Sequence, residues 1–288
     1  MPLNRNKTGR FVLIEELPLM RLAAIRWRAC ETKIEDRTKM LTLHSKKEYM
    51  ERLSTKKYHK YLSNAIQHFW GTREAQLKGQ KKSDQGSRGS VTGGKQLDGF
   101  IQLLVKVSTD LGVPEECIYI KGNNLPGFFR PSKDWDFLII TPNKQLIAVV
   151  ELKSQVGSFG NNFNNRTEEA LGSAVDIWTA FRENGFPQKQ QPWLGYVILV
   201  EQTSKSTSPV RLQESHFKVR PEFENTSYLD RYALFCQKLM QERHYSSTAM
   251  IWTDKDMKFG CPEDDISFDT FLLSFMGFIQ GKLKVFKK

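Results

Sequence analysis

Three charged residues interrupt two of the most apolar stretches of the chain. Asp136 lies in the run Trp135–Thr141, and Glu151 and Lys153 lie at the end of the run Leu146–Lys153. Burying a charged group costs free energy unless the group is paired or bound to a metal. These three side chains are therefore the first candidates for chemistry.

The spacing of these residues predicts how they meet. A Pro-Asn turn separates the two apolar runs, which predicts a β-hairpin. Alternate residues of a strand point to the same face, so Glu151 and Lys153 share one face while Leu152 points into the core. The partner strand of the hairpin brings Asp136 alongside them.

This arrangement predicts a divalent-cation site beside a positive charge. Carboxylate oxygens suit Mg²⁺, which keeps several waters with which it meets a substrate phosphate. Asp136 and Glu151 would hold the ion, and Lys153 would orient an attacking water or stabilise charge developing on a phosphodiester. The alternative is an ordinary ion pair between Glu151 and Lys153 at a strand end, with Asp136 in a turn.

The rest of the hydrophobic pattern predicts a mixed α/β fold, with one central sheet flanked by helices. A stretch rich in Gly, Ser and Lys, 78–94, predicts an exposed loop. The apolar stripe over 268–279 predicts a helix packed in the core or, alternatively, against a second subunit. The other predicted helices are 19–30, 61–77, 95–111, 166–184 and 228–243, and the predicted strands are 117–121, 135–141, 146–153, 194–200 and 248–253.

Composition excludes several classes of protein. The net charge of +11 over 288 residues favours an anionic partner such as nucleic acid. The four cysteines form no C-x-x-C pair, so they predict neither a zinc ribbon nor a disulfide scaffold and are typical of a cytoplasmic protein. No apolar run approaches the roughly 20 residues that cross a bilayer, so we expect no membrane partner.

Charge also divides the chain into two regions. Residues 1–60 carry 15 Lys and Arg against 7 Asp and Glu, which predicts a basic N-terminal extension before a main domain over 61–288. The extension has two interpretations. In the first, it is an arm that adds sequence-independent affinity for DNA. In the second, part of it is dispensable or lies upstream of the true start, since translation could begin at Met20, Met40 or Met50.

The sequence around the charged residues is more specific than the charges themselves. The order of Pro131, Asp136 and the triplet Glu151-Leu-Lys153 resembles the PD-(D/E)xK nuclease superfamily. The resemblance covers roughly 61–260. The segments that resemble the XhoI family of type II restriction endonucleases are VTGGKQLDGF (91–100), LPGFFRPSKDWD (125–136), the Asn-rich block 151–186, SPVRLQESHFKV (208–219) and QERHY (241–245).

That resemblance implies a restriction-endonuclease-like core with a specific chemistry. Asp136 and Glu151 would bind Mg²⁺ with help from the Leu152 carbonyl, and Lys153 would be the catalytic lysine. The implied substrate is double-stranded DNA, cut on both strands of the palindrome CTCGAG to leave 5′ overhangs. A palindrome implies a twofold homodimer, and a DNA methyltransferase would be the functional partner that protects the host.

The Asn-rich segment follows the predicted catalytic strand directly, so we expect it to form a loop near the bound duplex. Asn pairs with adenine and Arg with guanine at base edges, and the alternative is a structural loop that caps the next helix. Four cations flank the region and are candidate phosphate contacts or, alternatively, solvated surface charges. The candidate base contacts are Asn161, Asn162, Asn164, Asn165 and Arg166, and the cations are Arg88, Lys95, Arg130 and Lys133.

Two rival functions remain open from the sequence. Another PD-(D/E)xK nuclease, acting in repair or on DNA junctions, would share the charged site but not the Asn-rich segment. A DNA-binding protein without catalysis would use the two carboxylates only to pair with Lys153. Glu74, on the helix before the Gly-rich stretch, is either a further carboxylate of the site or a surface residue.

Overall fold

The computed structural model describes residues 4–5, 11–12, 54–80, 95–214 and 216–286. The predicted helix 19–30, most of the predicted loop 78–94 and Arg88 lie outside these residues. The chain divides into two compact units, Met1–Arg52 and Leu53–Lys288. In the first unit, strands β1 (Asn4–Arg5) and β2 (Phe11–Val12) pair antiparallel.

A mixed sheet forms the centre of the second unit, as the hydrophobic pattern predicts, and it has six strands, of which Phe259–Gly260 is not predicted. The strands of this unit are β3 (Ile118–Tyr119), β4 (Asn124–Pro126), β5 (Ser132–Asp134), β6 (Phe137–Ile140), β7 (Leu146–Gln155), β8 (Trp193–Glu201), β9 (Ser247–Thr253) and β10 (Phe259–Gly260). The order across the sheet is β10-β9-β8-β7-β6-β3. The pairs β7–β8 and β8–β9 are parallel, whereas β6–β7 is the predicted antiparallel hairpin.

Helices cover both faces of this sheet. They are α1 (His59–Gln80), α2 (Asp98–Asp110), α3 (Phe159–Arg182), α4 (Ser204–Thr207), α5 (Tyr228–Gln241) and α6 (Phe268–Lys282). One hydrophobic cluster joins α1, α2 and α6 to one face, and a second joins α3 and α5 to the other. Among the described residues, none of the helices has the length and apolar character of a bilayer span.

The hairpin of β4 and β5 is an element that the sequence pattern does not predict. It forms a separate two-stranded sheet, in which Leu125 pairs with Lys133 and Asn124 with Asp134. Each strand is only three residues long and mostly exposed, so it carries little of the apolar alternation that identifies a strand from sequence.

The predicted loop over the Asn-rich segment is wrong, because α3 begins at Phe159 rather than at Arg166. Gly157 and Ser158 have φ values of 64° and 43°, so the chain turns sharply out of β7 and enters the helix at once. Asn has a modest helix propensity. Packing overrides it here, since Phe159 is buried and the Phe163 ring lies 5.0 Å from that of Tyr232 on α5.

The C-terminal apolar stripe packs in the core, which confirms the first of its two interpretations. Phe275 of α6 is fully buried, with its ring 5.2 Å from Trp193 and 6.2 Å from Phe137. Through these ring contacts α6 packs against β6 and β8, the two strands that flank β7. The position of β7, which carries two of the candidate residues, therefore depends on it.

We predict that Phe275→Ala lowers the free energy of unfolding by about 3 to 5 kcal/mol, because it leaves a cavity that the surrounding aromatic rings cannot fill. Leu273→Ala, on the exposed side of the same helix, is the matched control and should change stability by less than about 0.5 kcal/mol. Urea unfolding followed by circular dichroism measures both. Equal effects of the two substitutions would contradict the packing described.

Candidate active site

Asp136 and Glu151 face each other at one end of the β6–β7 hairpin. Phe137, the first residue of β6, pairs with Val150 of β7, so the antiparallel register places Asp136 opposite Glu151. Both side chains lie on the sheet face that α3 covers, while Leu152 is buried on the other face. The predicted convergence of the two carboxylates is therefore present.

Backbone geometry ties Asp136 to the neighbouring strand. The amide of Leu152 donates a hydrogen bond to Asp136 Oδ2 over 2.7 Å. The N–H and C=O groups of one strand residue point to the same side of the strand. The Leu152 carbonyl is consequently directed toward the end of β6 where Asp136 lies, and it is available as a third oxygen at this place.

Glu151 lies between two lysines. Lys153 contacts Glu151 Oε1 from the same strand, and Lys133 Nζ lies 2.8 Å from Glu151 Oε2. Glu151 is only 2% exposed, so this carboxylate is compensated by both cations rather than by water. Lys133 comes from β5 and also lies 4.5 Å above the ring of Trp135.

The surroundings shift the pKa values of two of these groups. Burial, and after it the charge of Glu151, raises the pKa of Asp136 to about 6 although the Leu152 amide and the lysines oppose this. Burial lowers the pKa of Lys153, but its contact with Glu151 outweighs burial and the pKa lies above its usual value. Lys153 is thus an ammonium ion at neutral pH, and Asp136 is easily protonated.

The donor set fits Mg²⁺. The negative charges of Asp136 and Glu151 repel each other, so a cation bound between the two carboxylates would stabilise both. Together with the Leu152 carbonyl, these side chains offer only oxygen ligands, which are the ligands that Mg²⁺ prefers. Among the described residues, no group of three or more His, Cys, Asp or Glu side chains gathers as a metal cage. A site with few protein oxygens is what Mg²⁺ uses when water and a substrate phosphate complete its shell.

The five candidate base contacts lie in the first two turns of α3. Asn161, Asn164 and Asn165 are exposed, and Asn162 is partly exposed. Arg166 is instead engaged with the protein, since it pairs with Glu169 over 2.7 Å and donates to the Ser154 carbonyl over 3.4 Å. Arg166 therefore links the start of α3 to the end of β7, a structural role that the sequence pattern does not indicate.

The three described phosphate-contact candidates have different surroundings. Lys95 is exposed and precedes Gln96, which donates to Ser154 Oγ over 2.9 Å, so it lies beside the end of β7. Arg130 pairs with Asp176 over 2.7 Å. Lys133 contacts Glu151 and therefore belongs to the carboxylate site itself.

Glu74 is a surface residue. Its side chain is exposed and forms an ion pair with Lys78 over 2.7 Å on the same helix. That pair lowers the pKa of Glu74 through the hydrogen bond from Lys78. The interpretation of Glu74 as a further ligand of the carboxylate site has no support in this placement.

Two buried carboxylate residues near the site are not among the candidates that the sequence predicts. Asp176 of α3 holds the β4–β5 hairpin, and Glu201 at the end of β8 accepts the Gly157 amide over 3.1 Å. Asp176 could have been found, because it shares the buried helical spacing of Ser173 and Ala180 and an acid on such a face must have a partner. No comparable periodicity marks Glu201.

We predict that Asp136→Asn stabilises the metal-free protein in a pH-dependent way. The folded pKa of about 6 exceeds the unfolded value of about 3.9, so the folded state takes up a proton between these pH values. Stability therefore falls as pH rises from about 4 to 6, and the variant avoids this loss of roughly 3 kcal/mol. Urea unfolding in EDTA should show equal stability at pH 4 and a more stable variant at pH 8. A pH-independent difference would contradict the assignment.

The chain is similar to known type II restriction enzymes. The type II restriction enzyme BstVI of Geobacillus stearothermophilus is 51% identical over 178 residues, covering 60% of this chain and 80% of the relative. The type II restriction enzyme XhoI of Xanthomonas vasicola is 42% identical over 193 residues, covering 65% and 77%. No solved structure matches the chain. The family model described as restriction endonuclease XhoI matches residues 76–262, and the chain belongs to that family.

Proposed function

We propose that this protein is a Mg²⁺-dependent type II restriction endonuclease that hydrolyses both strands of DNA at a palindrome of the CTCGAG type and leaves 5′ overhangs. The observation that carries the proposal is the opposition of Asp136 and Glu151 beside Lys153, in a chain that belongs to the XhoI family. Its relatives are named type II restriction enzymes.

Each residue of the site has a distinct part in this proposal. Asp136, Glu151 and the Leu152 carbonyl hold Mg²⁺, which would supply a Lewis acid at the phosphate and a more acidic bound water. Lys153, kept as an ammonium ion by Glu151, orients the attacking water and stabilises negative charge on the phosphate. Lys133 contacts the other oxygen of Glu151 and would contact a phosphate bound beside that carboxylate.

The first two turns of α3 are the proposed reading surface. Asn161, Asn164 and Asn165 are exposed beside the end of β7, and amide side chains form paired hydrogen bonds with adenine. Lys95 and Arg130 would position the backbone without reading sequence. A palindromic site further implies a twofold homodimer, and an enzyme with this activity needs a DNA methyltransferase that protects the host genome.

A plasmid digestion tests the proposal against its two rivals. The purified protein is incubated with Mg²⁺ and a plasmid that has one CTCGAG site, beside a matched plasmid with that site altered. Cleavage to one linear product only in the first plasmid supports the proposal, and end-sequencing of the product measures the overhang. Nicking of both plasmids indicates a repair or junction nuclease, and binding without cleavage indicates a DNA-binding protein.

We predict that Glu151→Gln and Lys153→Met each lower the cleavage rate by about a hundredfold or more, because each removes a group that acts on the reacting phosphate. Binding to the site in EDTA should stay within about tenfold of wild type. Glu263→Gln and Lys255→Met, at exposed positions, are the matched controls and should cleave normally. Wild-type cleavage by either active-site variant would contradict the assigned roles.

A further inference from the structure

Two phenylalanines project from the tip of the β4–β5 hairpin. Phe128 is 51% exposed and Phe129 is 69% exposed, and their rings form an edge-to-face pair with centroids 5.0 Å apart. Leaving two adjacent large aromatic side chains in water forfeits the free energy of burying them. Adjacent exposed aromatic rings are typical of a contact surface rather than of scattered surface residues.

The tip that carries these rings is held in one conformation. Asp176 of α3 accepts the amides of Phe128 and Phe129, both over 2.8 Å, and the Nε of Arg130 over 2.7 Å. A Cβ atom at Gly127 would lie 2.6 Å from the Asp176 carboxylate, so a glycine is needed for this close approach. A tip fixed by a buried carboxylate presents its two rings without the entropy loss of ordering a mobile loop.

The base of the hairpin is also fixed, by the burial of two side chains in the core. Leu125 and Trp135 are buried in the hydrophobic cluster beneath α3. Because these two side chains occupy the core at the base and Asp176 fixes the tip, the hairpin cannot fold Phe128 and Phe129 inward. Their exposure follows from the hairpin's anchoring at both ends.

The same hairpin reaches the carboxylate site. Lys133 on β5 contacts Glu151, and Phe129 precedes Lys133 by four residues, a span of at most about 14 Å. The minor and major grooves of DNA are about 6 and 12 Å wide, so this span is enough to reach across either of them. A duplex whose phosphate lies at Glu151 therefore passes within reach of the tip.

We propose that Phe128 and Phe129 form an aromatic wedge that contacts the bases of the bound duplex near the cleaved phosphate and unstacks a base step. This inference rests on the proposed function, since it requires DNA at Glu151. Apolar wedges that open a base step are a recurrent way to deform DNA, and the cost of deformation depends on the sequence deformed. The wedge would thus add specificity that the hydrogen-bonding residues of α3 do not supply.

The test uses duplexes that contain CTCGAG, with 2-aminopurine placed in turn at the adenine of the site and at each of the three flanking base pairs. Fluorescence of 2-aminopurine rises when the base loses its stacking partner. Wild-type protein is mixed with each duplex in EDTA to prevent cleavage, and we expect a several-fold rise at one position. The Phe128→Ala/Phe129→Ala variant should abolish that rise and bind the site about tenfold more weakly.

Two further variants separate the wedge from a merely structural effect. Phe128→Trp keeps an aromatic ring and should retain the fluorescence rise. Leu273→Ala removes an exposed apolar side chain on the opposite face of the sheet and should match wild type in every measurement. Both comparisons are made after circular dichroism has shown unchanged unfolding.

Three outcomes would overturn the inference. If wild type cleaves the plasmid but no duplex gains fluorescence, the wedge is absent while the proposed function stands. If the double alanine variant keeps the fluorescence rise, other residues unstack the bases. If light scattering shows that the double variant loses dimerisation, the two rings form a contact with a second copy of this chain. A wild type that cleaves no plasmid contradicts the proposed function instead.

Discussion

The opposition of two carboxylates at the end of a buried hairpin is the constraint on which the site depends. Glu151 is almost fully buried and Asp136 faces it across the strand pair, so their negative charges need compensation within the protein. Lys133 and Lys153 provide it for Glu151. Asp136 has only the Leu152 amide and more distant cations, and its pKa is raised accordingly. A divalent cation bound between the two carboxylates would compensate Asp136 as well, as the proposed function requires.

The helix α3 connects this site to the surfaces that are proposed to contact DNA. Its first turns carry exposed asparagines, Arg166 braces the end of β7, and Asp176 further along holds the hairpin tip. One helix thus positions the end of β7, the proposed reading surface and the proposed wedge. A shift of α3 would move all three together, so under the proposed function the reading surface and the carboxylate site would move as one.

Much of the fold could be predicted from hydrophobic periodicity, because the buried strands and the apolar stripes of the helices repeat regularly. The convergence of Asp136, Glu151 and Lys153 could be predicted as well, since strand alternation fixes which residues share a face. The start of α3 could not, because the burial of Phe159 and the packing of the partly buried Phe163 against Tyr232 override the low helix propensity of the asparagines.

The contacts between distant elements were also beyond the sequence pattern. No local spacing indicates that Lys133 reaches Glu151, because that contact depends on a hairpin of two three-residue strands. Asp176 is an intermediate case. Its place on a buried helical face indicates a partner, but only the folded chain identifies that partner as the backbone at Phe128 and Phe129.

The most direct test of the central claim is a crystal structure with a CTCGAG duplex and Mn²⁺, which replaces Mg²⁺ and can be located by its anomalous scattering. The account predicts a Mn²⁺ ion bound by Asp136, Glu151 and the Leu152 carbonyl at about 2.0 to 2.3 Å, with Lys153 beside the scissile phosphate. A complex in which DNA is cut while the metal is bound by other residues, with Asp136 and Glu151 left in their lysine and amide contacts, would contradict it.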